Sequence, residues 1–142
     1  MKRLISLFSV AIVALLVVSS CDRYEEGSNF SLITAKGRFS NTWTMSKSTT
    51  ESGGVTADIT SWYSTYTLTT NKDGSYTRVE NIILETTETG TWTFNDDKTQ
   101  VTMTDEDGDV IVATLIKLKN KELKFEYTNA LGVKYTIEFT GA

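Results

Sequence analysis

The sequence contains no histidine and no proline, and its only cysteine is Cys21. Without histidine there is no Ser-His-Asp or Cys-His catalytic set and no imidazole metal site. A single cysteine excludes an internal disulfide and a zinc knuckle. No pattern places a pair of carboxylates in an apolar pocket, which general acid catalysis needs. We therefore predict that the protein is not an enzyme and has no catalytic residues, cofactor or metal.

Basic residues are also scarce. The 142 residues include 14 Lys and Arg against 18 Asp and Glu, which gives a net charge of −4. Removal of a leader that carries Lys2 and Arg3 would lower the net charge to −6. Proteins that bind nucleic acid need a basic face, so we exclude nucleic acid as a partner. The length allows one domain and not two.

Long apolar runs are confined to the start of the chain. Residues 4–18 are apolar except for Ser6 and Ser9, and they follow the basic pair Lys2-Arg3. Fifteen such residues are short for a membrane span and typical of a secretion signal. We therefore assign residues 1–20 to a signal helix that is removed from the mature protein.

The leader ends in Leu16-Val-Val-Ser-Ser-Cys21, which resembles the lipobox of bacterial lipoproteins. This resemblance implies cleavage before Cys21 and acylation of its thiol and amine, which would anchor the protein in a membrane. The implied location is the bacterial outer membrane or cell surface, with a periplasm-facing position as the alternative. An ordinary secretion signal or a transmembrane anchor are the other interpretations of the segment. Residues 21–40 would then be the lipidated cysteine and a polar tether.

From residue 41 the sequence alternates between apolar and polar residues and is interrupted by turn signals. No helix is predicted outside the leader. The alternation predicts eight strands, at residues 41–46, 62–70, 75–83, 89–95, 99–104, 110–118, 122–128 and 133–140.

Three turns fix the register of these strands. Asn71-Lys-Asp-Gly74 predicts a tight hairpin that places Leu68 opposite Arg78. A two-residue turn at Asp96-Asp97 would place Trp92 opposite Val101. A two-residue turn at Asn120-Lys121 would place Leu118 opposite Leu123 and Ile116 opposite Phe125. With apolar residues on one face throughout, residues 41–142 are predicted to form an eight-stranded antiparallel up-and-down meander barrel. A two-sheet β-sandwich is the alternative.

Four segments of the chain, in this order and spacing, resemble the small lipocalin-like domains of Gram-negative bacterial lipoproteins. The segments are Asn41-Thr-Trp-Thr-Met45, residues 66–76, Gly90-Thr-Trp-Thr-Phe94 and residues 116–123. The resemblance covers about residues 41–140. It implies a lipocalin-like barrel and a small-molecule ligand inside it.

Aromatic and apolar side chains on the inner face would line a ligand pocket. An inward-facing Arg78 beside Glu80 could hold the polar head of a ligand, or the two could form an internal salt bridge. The alternative for the whole set is a barrel filled by its own side chains. The candidate pocket residues are Trp43, Trp62, Tyr66, Arg78, Trp92, Phe125, Tyr127 and Tyr135.

Alternate loops of a meander lie at the same end of the barrel, and one end collects acidic residues. Its charged residues carry a net charge of −7, while those of the tether end sum to zero. The acidic mouth would face away from the membrane and suit a neutral or cationic ligand, or a protein partner at the acidic loops. Asp105-Glu-Asp-Gly-Asp109 has the wrong spacing for an EF-hand and predicts a hairpin turn. The acidic residues are Glu51, Asp58, Glu85, Glu88, Asp105, Glu106, Asp107 and Asp109, with Lys47 the only basic one.

Overall fold

A computed structural model describes Tyr24 and residues 32–142 of the chain. The predicted signal helix and Cys21 lie outside the described residues. None of the helices within the described part is long and apolar enough to span a membrane. The elements are a helix α1 (Ala35–Phe39), strands β1 (Thr42–Ser52) and β2 (Val55–Asp58), a 3₁₀ turn (Thr60–Trp62), and strands β3 (Thr65–Thr70), β4 (Ser75–Asn81), β5 (Glu85–Phe94), β6 (Gln100–Asp105), β7 (Val110–Leu118), β8 (Glu122–Thr128) and β9 (Lys134–Gly141).

The strands form one closed antiparallel sheet. Consecutive strands from β3 to β9 pair with their neighbours, and β1 pairs with β3 on one side and with β9 on the other. Strand β2 pairs only with the outer end of β1, from Thr49 to Ser52, and lies outside the closed ring. The predicted eight-stranded up-and-down barrel is therefore confirmed. The two-sheet sandwich is wrong, because the pairing of β1 with β9 leaves no break between two sheets.

The β3–β4 hairpin has the predicted register. Thr70 lies opposite Tyr76, Leu68 opposite Arg78 and Tyr66 opposite Glu80. Gly74 has φ of 91°, a conformation that favours glycine, and it closes the turn. Because opposite residues share a face, Arg78 and Glu80 both point into the barrel beside Tyr66.

The register between β5 and β6 differs from the prediction by two residues. Trp92 lies opposite Met103 instead of Val101, and Phe94 lies opposite Val101. The loop contains four residues from Asp96 to Thr99 instead of two, and its third residue, Lys98, adopts a positive φ of 60°. A shift of two residues keeps every side chain on its predicted face, so the inner surface is unchanged.

A bulge at Ile116 changes the faces of β7. Leu118 lies opposite Leu123 as predicted, but Leu115 lies opposite Phe125 where Ile116 was expected. The extra residue reverses the alternation toward the start of the strand. Ala113 and Leu115 are therefore buried inside the barrel, while Val110 and Val112 face outward.

Helix α1 was not predicted, and it closes one end of the barrel. Thr34 caps it, with its hydroxyl accepting a hydrogen bond from the Gly37 amide at 3.0 Å. The fully buried Phe39 packs against Trp92, with ring centroids 4.8 Å apart. The Phe39 carbonyl accepts hydrogen bonds from the Trp43 indole N–H, at 2.9 Å, and from the Thr70 hydroxyl. These contacts seal the end at which the β3–β4, β5–β6 and β7–β8 turns lie.

The lower half of the barrel, next to α1, is filled by apolar side chains. Leu68, Val101, Leu118, Leu123 and Ile137 are each at most 1% exposed. Aromatic rings from β1, β5, β8 and β9 complete this core, and the opposite half of the barrel is open to solvent. The buried apolar residues of the core also include Trp43, Trp92, Met103, Ala113, Leu115, Phe125 and Phe139.

Candidate functional site

The open end of the barrel holds a cavity of about 560 Å³. This volume lies within the range of roughly 300–1,000 Å³ that is typical of small-molecule sites. Its wall combines tyrosines, carboxylates, one arginine and an apolar group from the start of β7. The lining residues are Tyr63, Arg78, Glu80, Ile82, Asp109, Val110, Ile111, Val112, Tyr127, Thr128, Asn129, Ala130 and Tyr135.

Arg78 lies in the wall of this cavity, above the core, and pairs with Glu88 on the neighbouring strand. Arg78 Nη2 lies 2.5 Å from Glu88 Oε2, and the other carboxylate oxygen of Glu88 accepts a hydrogen bond from the Tyr76 hydroxyl at 2.6 Å. The two side chains are 17% and 26% exposed. Burial opposes the charge of Arg78, but Tyr66, Glu88 and Glu80 raise its pKa overall. Arg78 therefore stays charged, and Glu88 is its main counterion.

Tyrosines form the opposite wall. The Tyr127 and Tyr135 rings on β8 and β9 are stacked, with centroids 5.2 Å apart and an interplanar angle of 8°. Tyr63 packs edge-on against Tyr66 at 5.4 Å. Burial raises the pKa of Tyr66, and it raises the pKa of Tyr127 to about 12, so both phenols are neutral at physiological pH.

Carboxylates dominate the charge of the open end. Arg78 and Glu80 also line a second hollow of about 270 Å³, which is continued by residues 86–89 and 105–107. Together the two hollows are lined by one cation and six carboxylates, a net charge of −5. The Glu80 side chain forms no ion pair within the described part of the chain. The carboxylates are Glu80, Glu88, Asp105, Glu106, Asp107 and Asp109.

The cavity also opens sideways between β7 and β8. The ladder between these strands begins at the pair Thr114–Glu126, so residues 110–113 of β7 have no partner on β8. Inward-facing Ile111 and outward-facing Val112 line the same cavity, which therefore passes from the interior to the outer surface at this gap. Val110 and Val112 are 57% and 50% exposed.

The structure places seven of the eight candidate pocket residues in the cavity wall, next to it or in the core below it. Arg78, Tyr127 and Tyr135 line the cavity, and Tyr66 packs next to them against Tyr63. Trp43, Trp92 and Phe125 are buried in the core below it.

The predicted inward position of Trp62 is wrong. It lies in the 3₁₀ turn before β3 and is 61% exposed. The expected strand began at residue 62, but β3 begins at Thr65, so the alternation does not extend back to Trp62.

Sequence reasoning missed Tyr63 and the role of Glu88. Tyr63 directly follows the 3₁₀ turn and is not among the candidate pocket residues predicted from the sequence. The sequence places Glu88 only among the charges of the acidic loops, although the β4–β5 register brings it opposite Arg78. The alternation Glu88-Thr-Gly-Thr-Trp92 was the available signal, because it puts Glu88 on the same face as the buried Trp92.

The acidic segment from Asp105 to Asp109 is a hairpin turn, as predicted. The Asp109 amide donates a hydrogen bond to the Asp105 carboxylate at 2.8 Å, and Gly108 has φ of 89°. Within the described residues no group of three or more Asp, Glu, His or Cys side chains is arranged to hold a metal ion.

Comparison with known proteins agrees with this geometry. The model of a lipocalin-like domain family matches residues 39–125 of the chain. A solved structure described as a de novo designed fluorescence-activating β-barrel has a TM-score of 0.53 and 14% sequence identity, and the match covers 78% of this chain and 100% of the designed one. At that identity the likeness concerns the fold alone. No curated protein matches the chain.

Proposed function

Because the chain belongs to the lipocalin-like domain family, we propose that it is a lipid-anchored protein of the bacterial envelope that binds a small, largely apolar ligand in the open end of its barrel. The observation that carries this proposal is the division of the barrel into a filled lower half and an open cavity of about 560 Å³. An eight-stranded barrel can be filled by its own side chains or hold one small ligand, and here the open half leaves room for a ligand.

The lining of the cavity supports a ligand with both apolar and polar parts. Tyr127, Tyr135 and Ile111 offer apolar surface, while Glu80 and Arg78 offer polar contacts. The buried Arg78 Nε has no hydrogen-bond partner among the described residues, so a ligand acceptor or a water would satisfy it. The net negative charge favours a neutral or cationic ligand over a free fatty acid anion.

The position of Tyr24 supports an anchor at the closed end. Tyr24 is 4% exposed and lies under Arg38 of α1, with the guanidinium carbon 5.9 Å from the ring centroid. Cys21 precedes Tyr24 by three residues, a contour length of at most about 11 Å. A lipid on Cys21 would hold the closed end at the membrane, and the cavity would face away from it.

Native mass spectrometry tests the ligand proposal. Residues 22–142 contain every described contact, and the barrel closes on itself, so this form keeps the whole fold. Purified without detergent from a lipid-rich lysate, it should carry a reproducible extra mass of a few hundred daltons that is lost on denaturation. The variant Ile111→Trp fills the cavity and should lose the extra mass, whereas Val55→Trp, at an exposed site on β2, should keep it. A clean apo mass for the native chain would count against the proposal.

A second candidate function is protein binding at the same end, and exposed apolar side chains around the mouth favour it. Ile83, Leu84 and Leu131 are 96%, 77% and 87% exposed, in the β4–β5 and β8–β9 links. Beside the acidic loops, these residues suit a partner with a basic and apolar surface. Ile83→Ser with Leu84→Ser should abolish such binding and leave ligand mass unchanged, because neither residue lines the cavity. Equal binding of a purified partner by this double variant would exclude the surface.

A further inference from the structure

We propose that the ligand is a single-chain amphiphile with a cationic head group, held by Glu80 and the tyrosine wall, with its tail in the gap between β7 and β8. This inference rests on the ligand binding proposed above and assigns the ligand's chemical class. It depends on three features of the cavity: its charge balance, its aromatic faces and its lateral opening.

The charge balance leaves one carboxylate for the head group. Arg78 would repel a cation, but Glu88 lies 2.5 Å from it and offsets its charge. Glu80 lines both hollows and forms no ion pair in the described part of the chain. Asp105 lines the smaller hollow and Asp109 lines the cavity, and both add negative charge. The uncompensated charge of the cavity is therefore negative, and a cation complements it.

The aromatic wall suits the same head group. Tyr63, Tyr127 and Tyr135 line the cavity together with Glu80, so aromatic rings and a carboxylate converge on one space. The faces of aromatic rings attract cations, and sites for quaternary ammonium groups are built from several such rings. Burial keeps Tyr127 in its neutral form, so the ring remains available without adding a charge of its own.

The lateral opening suits an alkyl tail. Ile82, Ile111 and Val112 line the same cavity as the tyrosines, and Ile111 and Val112 lie where β7 has no partner on β8. Val110 and Val112 are about half exposed at this gap, and neither packs in the core. A tail that lies in this gap would cover them, while the head stays between Glu80 and the tyrosines.

Three probes that share a ten-carbon chain test the inference: decyltrimethylammonium, decyl glucoside and decanoate. Each is titrated below its critical micelle concentration into residues 22–142, and binding is followed by calorimetry and by native mass spectrometry. We expect the cation to bind about tenfold more tightly than the neutral glucoside, and decanoate to bind most weakly.

Glu80→Gln and Glu85→Gln form a matched pair of variants. Both remove one negative charge near the mouth, but Glu85 is exposed at the start of β5 and does not line either hollow. Glu80→Gln should lower the affinity for the cation about fivefold to tenfold and leave that for the glucoside unchanged. Glu85→Gln should change neither affinity by more than about twofold. Circular dichroism checks that both variants remain folded.

The outcomes separate this inference from the function on which it rests. Tighter binding of the glucoside or of decanoate than of the cation would overturn the cationic class and leave ligand binding intact. Equal loss of cation affinity in both variants would overturn the role of Glu80. Absence of binding by all three probes would overturn both the class and the amphiphile-binding function.

Discussion

Arg78 and Glu88 form an ion pair inside the barrel, on adjacent strands, with 2.5 Å between Nη2 and Oε2. The pair lies at the boundary between the filled and open halves, and Tyr76 donates a further hydrogen bond to Glu88. Because both side chains are largely removed from water, each compensates a charge that would be costly to bury alone.

Glu88→Gln should lower the free energy of unfolding by about 1–3 kcal/mol, because it leaves Arg78 without its main counterion. Urea unfolding measures this change. The exposed pair of Glu51 and Lys134, with 2.9 Å between its charged atoms, supplies the control, and Glu51→Gln should cost less than about 1 kcal/mol. Replacing both Arg78 and Glu88 by Met should restore part of the lost stability. Equal losses of unfolding free energy in Glu88→Gln and Glu51→Gln would show that the inner ion pair contributes no more to stability than a surface one.

Trp43→Ala should unfold the barrel or destabilise it by about 3–5 kcal/mol, because Trp43 is fully buried against α1 and its indole N–H bonds to Phe39. Trp62→Ala provides the matched control, since Trp62 is 61% exposed, and it should change stability by less than about 0.5 kcal/mol. Thermal unfolding followed by far-UV circular dichroism checks both. An unchanged melting temperature for Trp43→Ala would mean that the packing of Trp43 below the cavity does not stabilise the barrel.

The barrel, its strand order and the inward position of Arg78 could be predicted from the sequence. Period-two alternation fixes which residues share a face, and Gly74 fixes the β3–β4 register because its positive φ admits few alternatives. The error at the β5–β6 loop had no structural cost, because a register shift of two residues keeps each side chain on the same face.

The bulge at Ile116 and helix α1 could not be predicted in the same way. Residues 110–116 are apolar except for Thr114, so the alternation does not show which of two adjacent residues faces inward. Helix α1 has five residues and contains Gly37, which local propensity disfavours, and it is held by the packing of Phe39. Both features depend on contacts between distant parts of the chain. The bulge turns Ile111 into the cavity wall, and α1 closes the opposite end of the barrel.

Gly90→Ala should destabilise the fold by about 2–3 kcal/mol. A Cβ atom at Gly90 would lie 2.1 Å from the Thr104 carbonyl oxygen and 2.8 Å from Asp105 Cα, so the backbones of β5 and β6 would have to separate. Thr91→Ala, at the next and exposed position, should cost less than about 1 kcal/mol. Denaturant unfolding of both variants gives the comparison. Similar stabilities would mean that the two strands can move apart freely.

Cys21→Ser should release the protein from the membrane, because acylation of this cysteine would be its anchor. Cells fed an alkyne-tagged fatty acid should label the native chain and not the variant, and the variant should move to the soluble fraction. Ser20→Ala keeps a small residue before the cysteine and should remain labelled. Labelling of Cys21→Ser, or membrane retention without any label, would contradict the anchor.

Raising the pH from 10 to 12 should destabilise the barrel through its buried tyrosines. Burial raises the pKa of Tyr127 from 10.0 to about 12; Arg78 opposes this rise in pKa and Tyr63 adds to it. The folded state therefore retains a proton that the unfolded chain loses. Stability linked to this phenol is fully present below pH 10 and is lost as the pH rises through about 12. The linked contribution is about 3 kcal/mol, at roughly 1.4 kcal/mol for each pKa unit. Urea unfolding at several pH values measures the fall, which should be shallower in Tyr127→Phe. An unchanged slope in that variant would show that Tyr127 ionises as freely in the folded barrel as in the unfolded chain.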